Sequence, residues 1–144
     1  WWEKIAHGPG ADASHEDCNR TGVALSVVRR DDKGGGTAIL LPGDAPYDRV
    51  SHYWQHFHGG LGLYGIVAFH HGAGTHWTDA TRELLREWAG PNSPIQIIFS
   101  CARPNAYDHP DDQRYRELLP YAHLKYTAVA RKADRTFLEL TFPS

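Results

Sequence analysis

The chain contains no methionine and only two cysteines, Cys18 and Cys101, among its 144 residues. Two thiols cannot build a disulfide framework. One bridge is open to them, but two reduced thiols in a reducing compartment are the adopted reading, so the expected location is cytoplasmic. An excess of either charge is also missing. The formal net charge is -2 with histidines neutral, which gives no basic footprint for nucleic acid and no patch for a membrane surface. Long apolar runs are absent as well: none approaches the roughly 18 residues that span a bilayer, so no membrane segment is expected. Repeats and low-complexity stretches do not occur. The missing methionine, with a start at Trp1-Trp2-Glu3, reads as a piece of a longer polypeptide or a processed chain.

What is present suits one globular unit over 1–144. The hydrophobic share is 41% and the charged share 22%, both ordinary for a globular chain of this length. Histidine stands out. There are ten, seven of them from His52 to His109. Most read as surface residues, but the density invites a metal or an acid–base role.

Hydrophobic patterning orders the chain. GVALSVVRR (22–30) and TAILLP (37–42) read as strands joined by the DDKGGG turn. PYDRVSHYW (46–54) fits a helix with proline in its first turn, and FHGGLGL (57–63) reads as a loop. YGIVAF (64–69) is apolar throughout, as a strand buried on both faces would be. TDATRELLREWAG (78–90) is the clearest helix, capped by Thr78 or Asp79, with Leu84, Leu85 and Trp88 as its apolar stripe. IQIIFS (95–100) is a further strand and HPDDQRYRELLPYA (109–122) a shorter helix. LKYTAVAR (124–131) and RTFLELTF (135–142) alternate like a closing hairpin.

Three of these segments share a grammar: an apolar strand that exits onto groups able to bind a metal. TAILLPGD ends on Asp44, YGIVAFHH on His70 and His71, and IIFSCARPNAYDHP runs into Asn105, Asp108 and His109. Neighbouring strands of one sheet gather such exits along one edge, where open sheets place ligands. Carboxylate with imidazole suits zinc, manganese or iron. Taken singly each signal is weak, since Gly-Asp after a strand is most often a turn and a His-His pair is usually half-exposed and inert. Together they gain weight, because each buried strand spends its exit on a costly polar group. Gly72-Ala73-Gly74 reads as a turn that holds the backbone clear of such a pocket, and His76 either approaches it or lines the next helix. Tyr53, Trp54, Phe57, Tyr64 and Trp77 either line a pocket for a flat ring or belong to the core.

NRTGVALSV, TAILLPGD, IVAFHHGAGT and IIFSCARPNAYDHPDDQRYRELL, in that order, resemble the C-terminal half of a metallo-β-lactamase-fold hydrolase, nearest the ComEC/Rec2-type competence proteins. The resemblance runs over roughly residues 19–120 and extends to the terminal hairpin. It implies an α/β (α+β) fold, an αββα sandwich with a mixed sheet and flanking helices, and two divalent metals, zinc by preference, at one edge. By the same likeness Asp44 is the metal-bridging and catalytic aspartate, and one of His70 and His71 is a ligand. An upstream histidine, His7 rather than His15, is another. Asn105, Tyr107 and His109 shape the pocket or touch substrate, and Asp79 and Asp108 are candidates to orient a ligand imidazole.

The resemblance has two departures. The His-x-His-x-Asp-His segment of that family is absent, and HFHGG (56–60) supplies only His-x-His; Ala73 stands where many relatives have serine. The missing motif places the upstream half of the fold elsewhere, on the same or another chain. The implied activity is a metal-activated water attacking a phosphodiester, ester or amide. A non-catalytic binding or scaffold unit of the same fold is the alternative. A third reading, an unrelated small α/β protein with a histidine-rich surface, requires Asp44, His70 and His71 to lie apart.

Overall fold

In the computed structural model, residues 23–57, 61–89, 94–101, 106–118, 121–127 and 142 are described. The run LSVVRR, rich in branched and extended-favouring side chains, forms β1 (Leu25–Arg30), and GTAILL forms β2 (Gly36–Leu41). They pair antiparallel, Leu25 opposite Leu41 and Val27 opposite Ile39. Asp31 makes the reversal possible: its carboxylate accepts from the amides of Lys33 at 2.8 Å and Gly35 at 2.9 Å.

Three parallel crossovers follow. Helix α1 (Tyr47–Phe57) leads to β3 (Leu61–Val67), helix α2 (Asp79–Ala89) to β4 (Ile95–Phe99), and the short α3 (Asp112–Tyr115) with a 3-10 turn at Arg116–Leu118 to β5 (Ala122–Tyr126). The sheet runs β1-β2-β3-β4-β5, with the last four strands parallel. A sheet that grows steadily in one direction through right-handed crossovers must put every helix on the same face. The core agrees. One cluster joins Ala38, Leu40, Leu63, Ile66, Ile97 and Phe99 of the sheet to Val50 and Trp54 of α1, Leu85 of α2 and Tyr115 of α3. Ile66, Ile97 and Phe99 are at most 1% exposed, and burial of each such side chain is worth about 1.5–3 kcal/mol. Trp54 and Trp88, 5.0 Å apart, join α1 to α2. The chain is thus of the mixed α+β class.

The other face of the sheet is apolar too. Residues opposite one another on an antiparallel pair share a face, so Leu25, Val27, Ile39 and Leu41 lie together, away from the helices. Leu25 is 49% exposed and Val27 51%. Among the described residues no helix is long and apolar enough to cross a membrane.

Several boundaries differ from the sequence expectation. The stretch read as a loop over 57–63 is helix at Phe57 and strand from Leu61, because pairing with Gly36–Ala38 of β2 satisfies a backbone that its glycines alone would not make extended. β3 ends at Val67 and not at Phe69, which opens a 3-10 turn. The helix expected over 109–122 begins at Asp112, since Pro110 disfavours helix at His109, and at its far end Ala122 is drawn into pairing with Ile95. Most of the expected closing hairpin lies outside the described residues.

Candidate functional site

The exits of β2, β3 and β4 do converge at one edge of the sheet. After β2, Pro42, Gly43 and Asp44 turn tightly, the Ala45 amide donating to the Pro42 carbonyl at 3.2 Å. After β3, the amide of Ala68 still donates to Ile98 of β4 at 2.8 Å, and the amide of His70 donates to Gly43 at 3.1 Å. These two bonds hold the His-His segment between its neighbours. His70 and His71 both take left-handed backbone geometry, with φ of 45° and 58°. Two successive side-chain-bearing residues in that region cost about 1–2 kcal/mol each, a strain found where surrounding structure fixes a functional group.

That geometry aims His71 at Asp44. The Nε2 of His71 lies 3.5 Å from Oδ1 of Asp44, and both side chains are about half exposed. The other ring nitrogen, Nδ1, donates to the Ser100 carbonyl at 2.8 Å, with the Ser100 hydroxyl at 3.1 Å. A carbonyl only accepts, so Nδ1 carries a proton and Nε2 is the nitrogen turned toward the carboxylate. The separation is long for a hydrogen bond but close to the roughly 3.4 Å between two ligands of a tetrahedral ion with bonds near 2.1 Å. The donor pair therefore fits a divalent metal, and the Ser100 carbonyl is the outer partner that a ligand imidazole requires.

Three more imidazoles stand around the pair. His70 has its ring centre 4.8 Å from that of His76, 5.9 Å from that of His109 and 6.2 Å from that of His71. Burial and then the neighbouring His70 push the His76 pKa down, against a smaller upward pull from Asp44. His109 is lowered likewise, by burial and then by His70 and His71, with Asp108 opposing. Yet among the described residues no three of His, Cys, Asp and Glu are grouped so as to hold a metal ion. Asp44 and His71 are a pair of donors and not a group of three.

Two glycines bring the loop after β4 onto the site. Gly72 has φ of 91°, and a Cβ there would stand 2.6 Å from the Phe99 ring and 2.7 Å from Pro110. At Gly74 a Cβ would strike the Asp111 carboxylate. The Gly-Ala-Gly turn thus admits the 109–111 segment, whose Asp111 amide donates to the Gly72 carbonyl at 3.0 Å, and its purpose is not to stand clear of a pocket. The peptide bond between His109 and Pro110 is cis. On the far side Thr78 caps α2, its hydroxyl accepting from the Thr81 amide at 3.1 Å, while the Thr81 hydroxyl donates to the His76 carbonyl at 3.0 Å.

The expected site residues are thereby sorted. Asp44 and His71 come together with His70 beside them, so the separation that the third reading required is not found. His109 joins them, and Tyr107 stacks beside it at 5.9 Å. Asp79 does not orient an imidazole: it is on the helix surface, paired with Arg82 at 3.0 Å. His7, His15 and Asn105 lie outside the described residues. Trp54 and Trp77 are core, at 6% and 9% exposure, so no flat-ring pocket forms from them. Tyr64 is half-buried beside Phe142, and the Tyr53 and Phe57 side chains lie outside those described. Ser100 was missed, because its shorter contact to His71 is made by its backbone carbonyl. No family model matches the chain, and neither a curated protein nor a solved structure matches it significantly.

Proposed function

We propose that this chain carries part of the metal centre of a hydrolase, in which a metal-activated water attacks a phosphodiester, ester or amide. The observation that carries the reading is the Asp44–His71 pair, 3.5 Å apart with Nε2 turned toward the carboxylate while Ser100 holds Nδ1. Asp44 and His71 would hold the ion, zinc by preference and manganese or iron by the same donor chemistry. A bound divalent ion supplies Lewis acidity and lowers the pKa of nearby water toward about 7. The chain's own residues do the rest. Ser100 fixes the His71 ring, and Asp44 accepts a proton or orients the attacking oxygen. His109, its pKa lowered, offers a neutral ring nitrogen to a substrate oxygen.

The resemblance to metallo-β-lactamase-fold proteins supports the same reading, with this chain as the C-terminal half of an αββα sandwich. The exposed apolar face bearing Leu25, Val27 and Leu41 is what a second layer would cover, so the upstream half, on this or another chain, is the expected partner. A cytoplasmic setting rests on the low thiol count, since two cysteines build no disulfide framework. The second reading, a non-catalytic unit of the same fold, is favoured by the lack of a third converging donor among the described residues.

Metal content and turnover of the full-length protein decide between them. Bound zinc, with hydrolysis of bis(p-nitrophenyl) phosphate that Asp44→Ala abolishes without changing the circular dichroism, supports the hydrolase. Zinc-free, inactive protein after metal loading overturns it.

A further inference from the structure

Tyr107 is the most exposed large apolar side chain among the described residues, at 79%. Leu25 and Val27 share the outer sheet face, and Tyr121 lies under the guanidinium of Arg86 at 5.9 Å. Tyr107 instead stands at the rim of the imidazole cluster. Its ring plane lies 23° from that of His109 at 5.9 Å, and His109 lies 5.9 Å from His70. Rings therefore run in sequence from the solvent-facing tyrosine to the Asp44–His71 pair.

The platform is built on fixed backbone. Asp108, between the two rings, is left-handed with φ of 55°, a reversal that side-chain-bearing residues avoid unless neighbours impose it. Beneath it Pro110 is buried against Gly72, and Asp111 donates its amide to the Gly72 carbonyl at 3.0 Å. Arg114 binds Asp111 at 2.9 Å and donates to the Gly74 carbonyl at 3.3 Å. A ring held out in water on anchored backbone loses little conformational freedom when something stacks on it.

We propose that Tyr107 and His109 form a stacking platform that receives a planar heteroaromatic ring of the ligand handled at the Asp44–His71 site. This rests on the hydrolase reading for the identity of the neighbouring site, though not for the stacking itself. The reacting group and the ring must be separated by about two ring spacings along the sequence of rings, as in a nucleoside carrying a hydrolysable group. Asp108, which bears on the charge of His109, supplies an acceptor beside the platform for an amino-substituted ring. Base–aromatic stacking changes affinity by roughly 5–150-fold on alanine substitution.

The test titrates adenosine, with ribose as the ring-free control, into full-length protein kept in chelator, following the Tyr107 and His109 ring signals by NMR. Adenosine should shift both rings and ribose neither. Tyr107→Ala should weaken adenosine about tenfold and Tyr107→Trp should retain it. Equal shifts from ribose, or unchanged adenosine affinity in Tyr107→Ala, overturn the proposal. Because chelator removes any metal, adenosine binding in a protein that neither takes up zinc nor hydrolyses would sustain the platform while ending the hydrolase reading.

Discussion

The backbone amide of His70 donates to the carbonyl of Gly43 at 3.1 Å, stitching the exit of β3 to the exit of β2. With that bond made, the next residue of each segment carries the functional group. Asp44 follows Gly43 and His71 follows His70, so the carboxylate and the imidazole meet without any long side chain having to reach. The pairing of two parallel strands is therefore what sets the 3.5 Å approach of Asp44 to His71.

The two adjacent histidines are expected to differ. His71 faces Asp44 and is oriented by Ser100, whereas the His70 ring turns toward His76 and His109. Removal of an outer partner typically costs roughly 10–100-fold in metal affinity, and loss of a ligand costs more. In zinc titrations of the full-length protein, His71→Ala should lose more than about 100-fold and His70→Ala about tenfold or less. Equal losses would mean that His71 is not the ligand of the pair.

Gly72 should tolerate no side chain. Its φ of 91° is a left-handed conformation, and a Cβ would press on both Phe99 and Pro110. Adding about 1–2 kcal/mol for the backbone to about 1–3 for overpacking, Gly72→Ala should destabilise by about 2–5 kcal/mol. Urea unfolding measures this. A change under about 0.5 kcal/mol, the scale of an ordinary surface substitution, would show that the Gly72 region is not packed as described.

Acid should weaken the metal-free protein. The pKa values of His76 and His109 lie below the ordinary 6.5 because burial and neighbouring imidazoles oppose their charging. Below 6.5 the unfolded chain takes up protons that the folded chain refuses, so stability is full above that value and falls as pH drops toward the folded values. In chelator, the melting temperature should decline from about pH 7.5 to about pH 5.5, and the decline should be smaller in a His76→Asn, His109→Asn double variant. An identical decline in the variant would locate the acid sensitivity elsewhere.

How much of this was legible depends on whether the information was local. The order of strands and the gathering of Asp44 with the 70–71 pair follow from apolar runs that end on polar groups, and that pattern is written in the residues. The strand at Leu61–Leu63 was not, because Gly62 beside Leu61 gives no local preference and the ladder with β2 decides it. Ser100 acts through its carbonyl, which no side-chain motif announces. His76 and His109 reach His70 through the packing of Gly72 and Gly74 on residues 110–111, a contact between segments more than thirty positions apart.

Tyr115 offers a test of the core on which all of this stands. Its ring is fully buried between Trp77, at 4.3 Å, and Phe99, at 4.9 Å, yet its hydroxyl has no hydrogen-bond partner among the described residues. Burial first and Asp111 second push its pKa far above the usual range, so the hydroxyl stays protonated and contributes an unmet donor. An unsatisfied buried polar group costs about 1–3 kcal/mol, whereas the ring itself packs well. Tyr115→Phe keeps the ring and removes the unmet group, so it should stabilise by about 1 kcal/mol and raise the melting temperature by about 3–4 °C. A lowered melting temperature would mean that the hydroxyl has a partner, and that the interior beneath Trp77 and Phe99 is organised around it.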